Sequence, residues 1–138
     1  MIRQAAKILA LSWPEKKVIF TAFILLPAFW IALRIFGLAR FKAWIERPVV
    51  PSAIVPREQL VSRGRLFNIA AFYSPGPVTC LTRSLLLHWS FRREGIASQL
   101  RIGARVAAGR LNAHAWVEFA GEPVNDAPDV AGRYDARF

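Results

Sequence analysis

The stretch Asn112–Asp126, NAHAWVEFAGEPVND, decides how the C-terminal half of this chain is read. Its first part, AHAWVEFA, alternates as a strand does. The alternation sets His114, Trp116 and Glu118 on one side and Ala115, Val117 and Phe119 on the other. AGEP then marks a turn, and VND begins or forms a further short strand. His114 and Asp126, twelve residues apart, thereby become candidates for cross-strand neighbours. On this reading Glu118 is a solvated strand residue, and Trp116 either packs beside the imidazole or joins the core.

Working backwards, SQLRIGARVA (98–107) is a second strand, with Leu100, Ile102 and Ala104 on one face and Arg101, Gly103 and Arg105 on the other. AAGRLN between the two strands reads as a turn. Upstream, CLTRSLLLHWSFRREG predicts a helix from Cys80 to Arg93 or Glu94, with Thr79 as N-cap, Arg92 and Arg93 in the last turn, and a stop at Gly95. Its apolar residues cover most of the circumference, which makes it a central helix. SPGP (74–77) forces an irregular loop before it. Residues 57–70 form a short helix entered at Pro56, and RPVVPSAIVP (47–56), with three prolines, is a connector. Residues 1–47 are helical and broken near Gly37. Helices, one long helix, then antiparallel strands make an α+β domain. It divides into an apolar helical segment, 1–47, packed on a core, 48–138, the two forming one structural unit.

Composition narrows the function. A chain of 138 residues supports about one domain, and an apolar fraction of 54% excludes a disordered one. The net charge of +10 favours an anionic partner: an acidic peptide, a membrane surface or nucleic acid. One cysteine forms no internal disulfide, so nothing asks for an oxidising compartment. The uncharged run Val18–Leu33 lies between Lys17 and Arg34. At 16 residues it falls short of a membrane span, and Pro27 interrupts it. Ser12 to Glu15 ahead of it reads as a capping box, the start of a globular helix, and RIFGLARF after it makes a poor signal-peptide cleavage site. A buried or interface helix is expected, with contact to a membrane surface through 18–33 as the alternative and a cytoplasmic location for the chain.

A thiol at a helix start meets unpaired N–H groups and the positive end of the dipole, which favour the thiolate, the nucleophilic form. The same N–H groups point where an oxyanion forms in acyl transfer. A histidine must take the thiol proton and later protonate the leaving group, and an acid or amide must fix its tautomer. Cys80, His114 and Asp126 supply these parts in order, with Asn125 competing for the third role. His88, eight residues up the helix from Cys80 and about 12 Å along its axis, is too far to serve as its base. One Cys and two separated His residues form no recognisable metal set, so neither metal nor cofactor is expected. SPGP lacks the lysine of a phosphate loop. The arginines at 83, 92, 93, 101, 105 and 110 lack interleaved exposed aromatics, which argues against nucleic acid.

The segments CLTRSLLL, FRREGI, LRIGAR and AHAWVEFAGEPVND resemble, in order and spacing, the transglutaminase-like cysteine proteases of lasso-peptide biosynthesis. The match is close over Pro77–Asp126, and the apolar helices before it resemble the N-terminal half of such proteins more loosely. The resemblance implies a papain-like core, with Cys80 as nucleophile, His114 as general base and acid, and Asp126 as its orienter. It implies removal of a leader from a precursor peptide before an asparagine-synthetase-like cyclase closes the macrolactam. The chain resembles the split form, which works with a separate leader-recognition protein. Arg83, Arg101, Arg105 and Trp116 are the residues expected to meet substrate or partner. An acyltransferase using the same triad, and a non-catalytic membrane-associated adaptor with a merely buried Cys80, are the competing readings.

Overall fold

The computed structural model of the chain describes residues 11–46, 55–74, 79–134 and 136–137. The helical reading of 1–10, the connector over 47–54 and the loop at 75–77 lie outside the described residues.

Helix α1 (Trp13–Phe36) starts after Ser12, whose Oγ donates to the Glu15 carboxylate at 2.8 Å while its N–H reaches the same oxygen at 3.4 Å. The helix runs through Pro27. An interior proline costs about 3 kcal/mol, and burying Leu26 and Phe29 on either side offsets that at about 1.5–3 kcal/mol each. Gly37, at a φ of 79°, ends α1 and lets the chain enter α2 (Leu38–Ile45) at once. Helix α3 (Arg57–Tyr73) follows Pro56 and buries Leu60, Leu66, Phe67 and Ala70.

Helix α4 (Cys80–Arg93) is capped at both ends. Thr79 Oγ1 accepts the Thr82 N–H at 3.2 Å. At the far end Ile96 N–H reaches Phe91 O and Gly95 N–H reaches Arg92 O, the paired bonds of a Schellman stop. Leu85, Leu86, Leu87 and Phe91 are almost fully buried. They pack among Leu26 and Phe29 of α1, Leu60 and Phe67 of α3, and Leu100 and Val117 of the sheet. α4 is therefore the central element of an α+β fold.

The sheet is antiparallel in the order β3-β2-β1-β4. Strand β1 (Gln99–Ala107) pairs with β2 (Arg110–Phe119), Gly103 lying opposite His114. The turn between them is only Ala108–Gly109, so Arg110, Leu111 and Asn112, expected in the turn, belong to β2. Both turn residues have positive φ, the geometry whose twist matches a two-residue hairpin. Ala120–Gly121 repeats this geometry before β3 (Glu122–Pro123). The third strand thus precedes Val124–Asp126 rather than including it. The reason lies in Asn125: its Oδ1 takes the Val117 N–H at 2.8 Å, the place a strand carbonyl would fill. A short 3-10 turn (Val130–Arg133) leads to β4 (Ala136–Arg137), which borders β1 and was not foreseen from the sequence.

Candidate active site

Cys80 is the first residue of α4, half-buried, with a free thiol. In the first helical turn the N–H groups have no intrahelical acceptor. Thr79 satisfies that of Thr82, which leaves those of Cys80 and Leu81 facing out of the helix start.

His114 sits on β2 with Asp126 beside it. Their contact is a hydrogen bond from Nε2 to Asp126 Oδ2, and the other carboxylate oxygen accepts the Ala127 N–H at 2.7 Å. With Nε2 donating to the acid, Nδ1 is the ring nitrogen left with a lone pair. Of the neighbours Asn125 and Asp126, only the acid meets the imidazole. Asn125 turns to the opposite side, where its amide is spent on Val117 and on Ser84 Oγ.

Three hydrogen bonds, two buried and one partly buried, hold the site-bearing segments together. Ser84, one turn beyond Cys80, donates to Ala115 O at 3.1 Å, the residue after His114. Asn125, the residue before Asp126, donates to the same Ser84 Oγ at 3.1 Å. Asn68 of α3 donates to Asn125 O at 3.2 Å. The start of α4, the His114 strand and the Asp126 segment are thus tied one step away from each candidate catalytic residue. Gly64 of α3 permits this closeness, since a Cβ there would stand 2.4 Å from Val124 O. Neither Ser84 nor Asn68 stands out in the sequence, because a lone serine or asparagine on a helix carries no pattern. Among the described residues the Cys80 thiol itself makes no hydrogen bond, to His114 or to another group.

On its other side His114 belongs to an aromatic cluster. Its ring lies 5.8 Å from Tyr134 and 6.1 Å from Trp116, and the two aromatics lie 5.7 Å apart. Arg105 caps Tyr134 at 5.6 Å. Gly103, across the ladder from His114, makes room: a Cβ there would come within 2.7 Å of Tyr134 and 2.8 Å of Trp116. Tyr134 escaped the sequence reading because it arrives from a distant segment.

Trp116 is fully buried, packs beside His114, and donates its indole N–H to Glu118 at 2.8 Å. Glu118, expected in solvent, is buried because the indole needs an acceptor, and Arg101 Nε completes the carboxylate's contacts at 3.3 Å. Arg101 also donates to Gln99 at 2.8 Å, so two intramolecular partners hold it. Arg105 is exposed above Tyr134. Arg83, on the first turn of α4, is half-buried and its Nε has no hydrogen-bond partner among the described residues.

A family model described as the transglutaminase-like superfamily matches residues 23–137, from within α1 to β4. The chain belongs to the transglutaminase-like superfamily. This superfamily includes cysteine peptidases and transglutaminases, and the α+β architecture described above is the one its match assigns. No curated protein and no solved structure matches the chain.

Within this superfamily member the second histidine has a different setting. His88 is buried, its Nδ1 2.8 Å from Ser98 Oγ and its Nε2 3.3 Å from the Glu46 carboxylate. Burial lowers its pKa to about 4, against the raising influence of Glu46 and with Arg92 and Lys42 adding to the lowering. It joins α2, α4 and the entry to β1. A cleft of about 380 Å³ between α1, α3 and α4 includes Lys17, Arg63, Trp89 and Glu94 in its lining, and none of Cys80, His114 or Asp126. No group of three His, Cys, Asp or Glu side chains suited to a metal ion occurs among the described residues.

Proposed function

We propose that this chain is a cysteine peptidase that removes the leader from a ribosomally made lasso-peptide precursor in the cytoplasm. The observation that carries the reading is the His114–Asp126 pair, its histidine on a strand tied by Ser84 to the start of the Cys80 helix. The resemblance of residues 77–126 to lasso-peptide leader peptidases supplies the substrate class.

In this mechanism His114 Nδ1 takes the thiol proton, and the Cys80 sulfur attacks the carbonyl at the leader–core junction. The oxyanion is met by the N–H groups of Cys80 and Leu81, which are preorganised by the helix and cost no reorganisation. Asp126 keeps Nε2 protonated and stabilises the imidazolium that forms. His114 then protonates the departing amine, the C–N bond breaks, and an acyl-enzyme remains. Water, deprotonated by His114, cleaves the thioester and restores the thiol. A separate leader-recognition protein delivers the precursor, and an asparagine-synthetase-like cyclase takes the released core. Arg83 and Arg105 are the basic residues on which an acidic stretch of the leader or the partner would settle.

The test is incubation of the chain with precursor peptide and leader-recognition protein, followed by mass spectrometry. Two fragments whose masses sum to the precursor plus one water are expected, and none with Cys80→Ala or His114→Ala. Addition of an amine to the precursor in place of water would assign the transglutaminase or acyltransferase branch of the same chemistry. No Cys80-dependent change in the presence of the partner would overturn the peptidase reading.

A further inference from the structure

Helix α1 has two unlike faces. At about 100° per residue, Trp13, Phe20, Ile24, Ile31 and Ile35 fall within an arc of roughly 60°, and each is at least half exposed. Ala22, Leu26 and Phe29 lie on the opposite side and are buried against the other helices. The outer stripe is therefore an apolar face, unbroken from Phe20 to Ile35 and carrying Lys17 near its start, that no described residue covers. Near Gly37, on another side of the helix, Phe36, Arg40, Phe41 and Trp44 line a cleft of about 390 Å³.

The charges around this face indicate what covers it. From Lys16 to Ile45 the chain has no Asp or Glu, while Lys16, Lys17, Arg34, Arg40 and Lys42 flank the apolar run at both ends. Lys17, Arg34 and Arg40 are exposed. Tryptophan stands at one end of the surface, Trp13 at 71% exposure. An apolar stripe, a cationic rim and a terminal tryptophan suit the boundary between acyl chains and anionic headgroups. We propose that the outer face of α1 docks on an anionic lipid surface.

The helix is long and apolar enough to cross a membrane by length and composition alone. Its inner face argues for lying on the surface instead: a spanning α1 would take Leu26 and Phe29 out of the core that surrounds α4. In the docked arrangement that face stays on the protein and only the outer stripe enters lipid. This inference is independent of the peptidase reading.

Vesicle flotation of the full chain tests it, with phosphatidylglycerol–phosphatidylcholine vesicles compared with pure phosphatidylcholine. Binding to the anionic vesicles is expected to be roughly tenfold tighter and to weaken at high salt. Ile24→Glu/Ile31→Glu, which changes only exposed side chains, should abolish it, and Arg34→Gln/Arg40→Gln should weaken it roughly tenfold. Circular dichroism melts of each variant check that the fold survives. The proposal is overturned by absent binding to anionic vesicles, by equal binding to neutral ones, or by undiminished binding of the folded Ile24→Glu/Ile31→Glu protein. A dimer in light scattering that the same variant converts to monomer would overturn it in favour of a second copy as occupant.

Discussion

The two histidines of this chain make a controlled comparison of what an environment does to one side chain. His88 is enclosed, with Ser98 and Glu46 near its two nitrogens. His114 is partly open: one nitrogen is committed to Asp126 and the other has no hydrogen bond among the described residues. The first arrangement can only hold elements together. The second can exchange a proton with a neighbour. Both rings stand near an acid, and what separates them is exposure: His88 is sealed in the core, while His114 is partly open.

The largest contrast should come from removing each ring. His114→Ala is expected to lower peptidase turnover roughly 10²–10⁴-fold, the usual contribution of a positioned acid–base group, with little change in the melting curve. His88→Gln should do the reverse, costing about 1–3 kcal/mol by disturbing buried hydrogen bonds while turnover per folded molecule stays near wild type. Turnover assays normalised to the folded fraction check both. Equal loss of turnover in the two variants would break the comparison.

The neighbours Asp126 and Asn125 sharpen it. Asp126→Ala removes the partner of Nε2, and turnover should fall roughly 10²-fold or more at nearly constant stability. Asn125→Ala strands the Val117 N–H and removes a bond to Ser84, so it should cost about 1–3 kcal/mol in a urea titration.

The pH dependence of stability tests the enclosed histidine. The folded pKa of His88, lowered by burial to about 4, lies below the ordinary 6.5. Between these values the unfolded chain takes up a proton that the folded chain refuses. His88 therefore imposes no penalty above pH 6.5, and stability falls as pH drops through the window towards 4, by at most about 1.4 kcal/mol per unit. Urea midpoints measured across that range should slope in wild type and flatten in His88→Gln.

A smaller effect is expected at Gly103→Ala. The new methyl group would press on Tyr134 and Trp116, costing about 1–3 kcal/mol as an overpacked site does. Because those rings border His114, turnover should fall roughly tenfold, the cost of a misplaced base. A KM that stays constant while kcat falls would separate displacement of the imidazole from loss of substrate binding.

The helices were legible because their ends carry local chemistry: Ser12 and Glu15, Gly37, Pro56, Thr79 and Gly95 each mark a boundary by their own backbone or capping preference. The contact of His114 with Asp126 followed from alternation and one tight turn. What escaped depends on particular side-chain contacts that neither alternation nor capping preference encodes. Glu118 is buried because an indole two residues away needs an acceptor, and Val124–Asp126 leaves the sheet because an asparagine side chain replaces a strand carbonyl. Tyr134 reaches His114 from across the sheet, opposite a glycine whose significance is only the space it leaves.

Both hairpin turns place an alanine in the left-handed region, Ala108 at a φ of 53° and Ala120 at 54°. A side chain with a Cβ sits there at a cost of roughly 1–2 kcal/mol, whereas asparagine tolerates it by bonding to its own backbone. Ala108→Asn and Ala120→Asn should each raise Tm by roughly 3–5 °C in a thermal scan, judged by the usual size scaling. The molecule therefore holds unused thermal headroom in its loops. An engineer could draw on it to tolerate destabilising changes near Cys80, such as a reshaped substrate cleft, without first rebuilding the core.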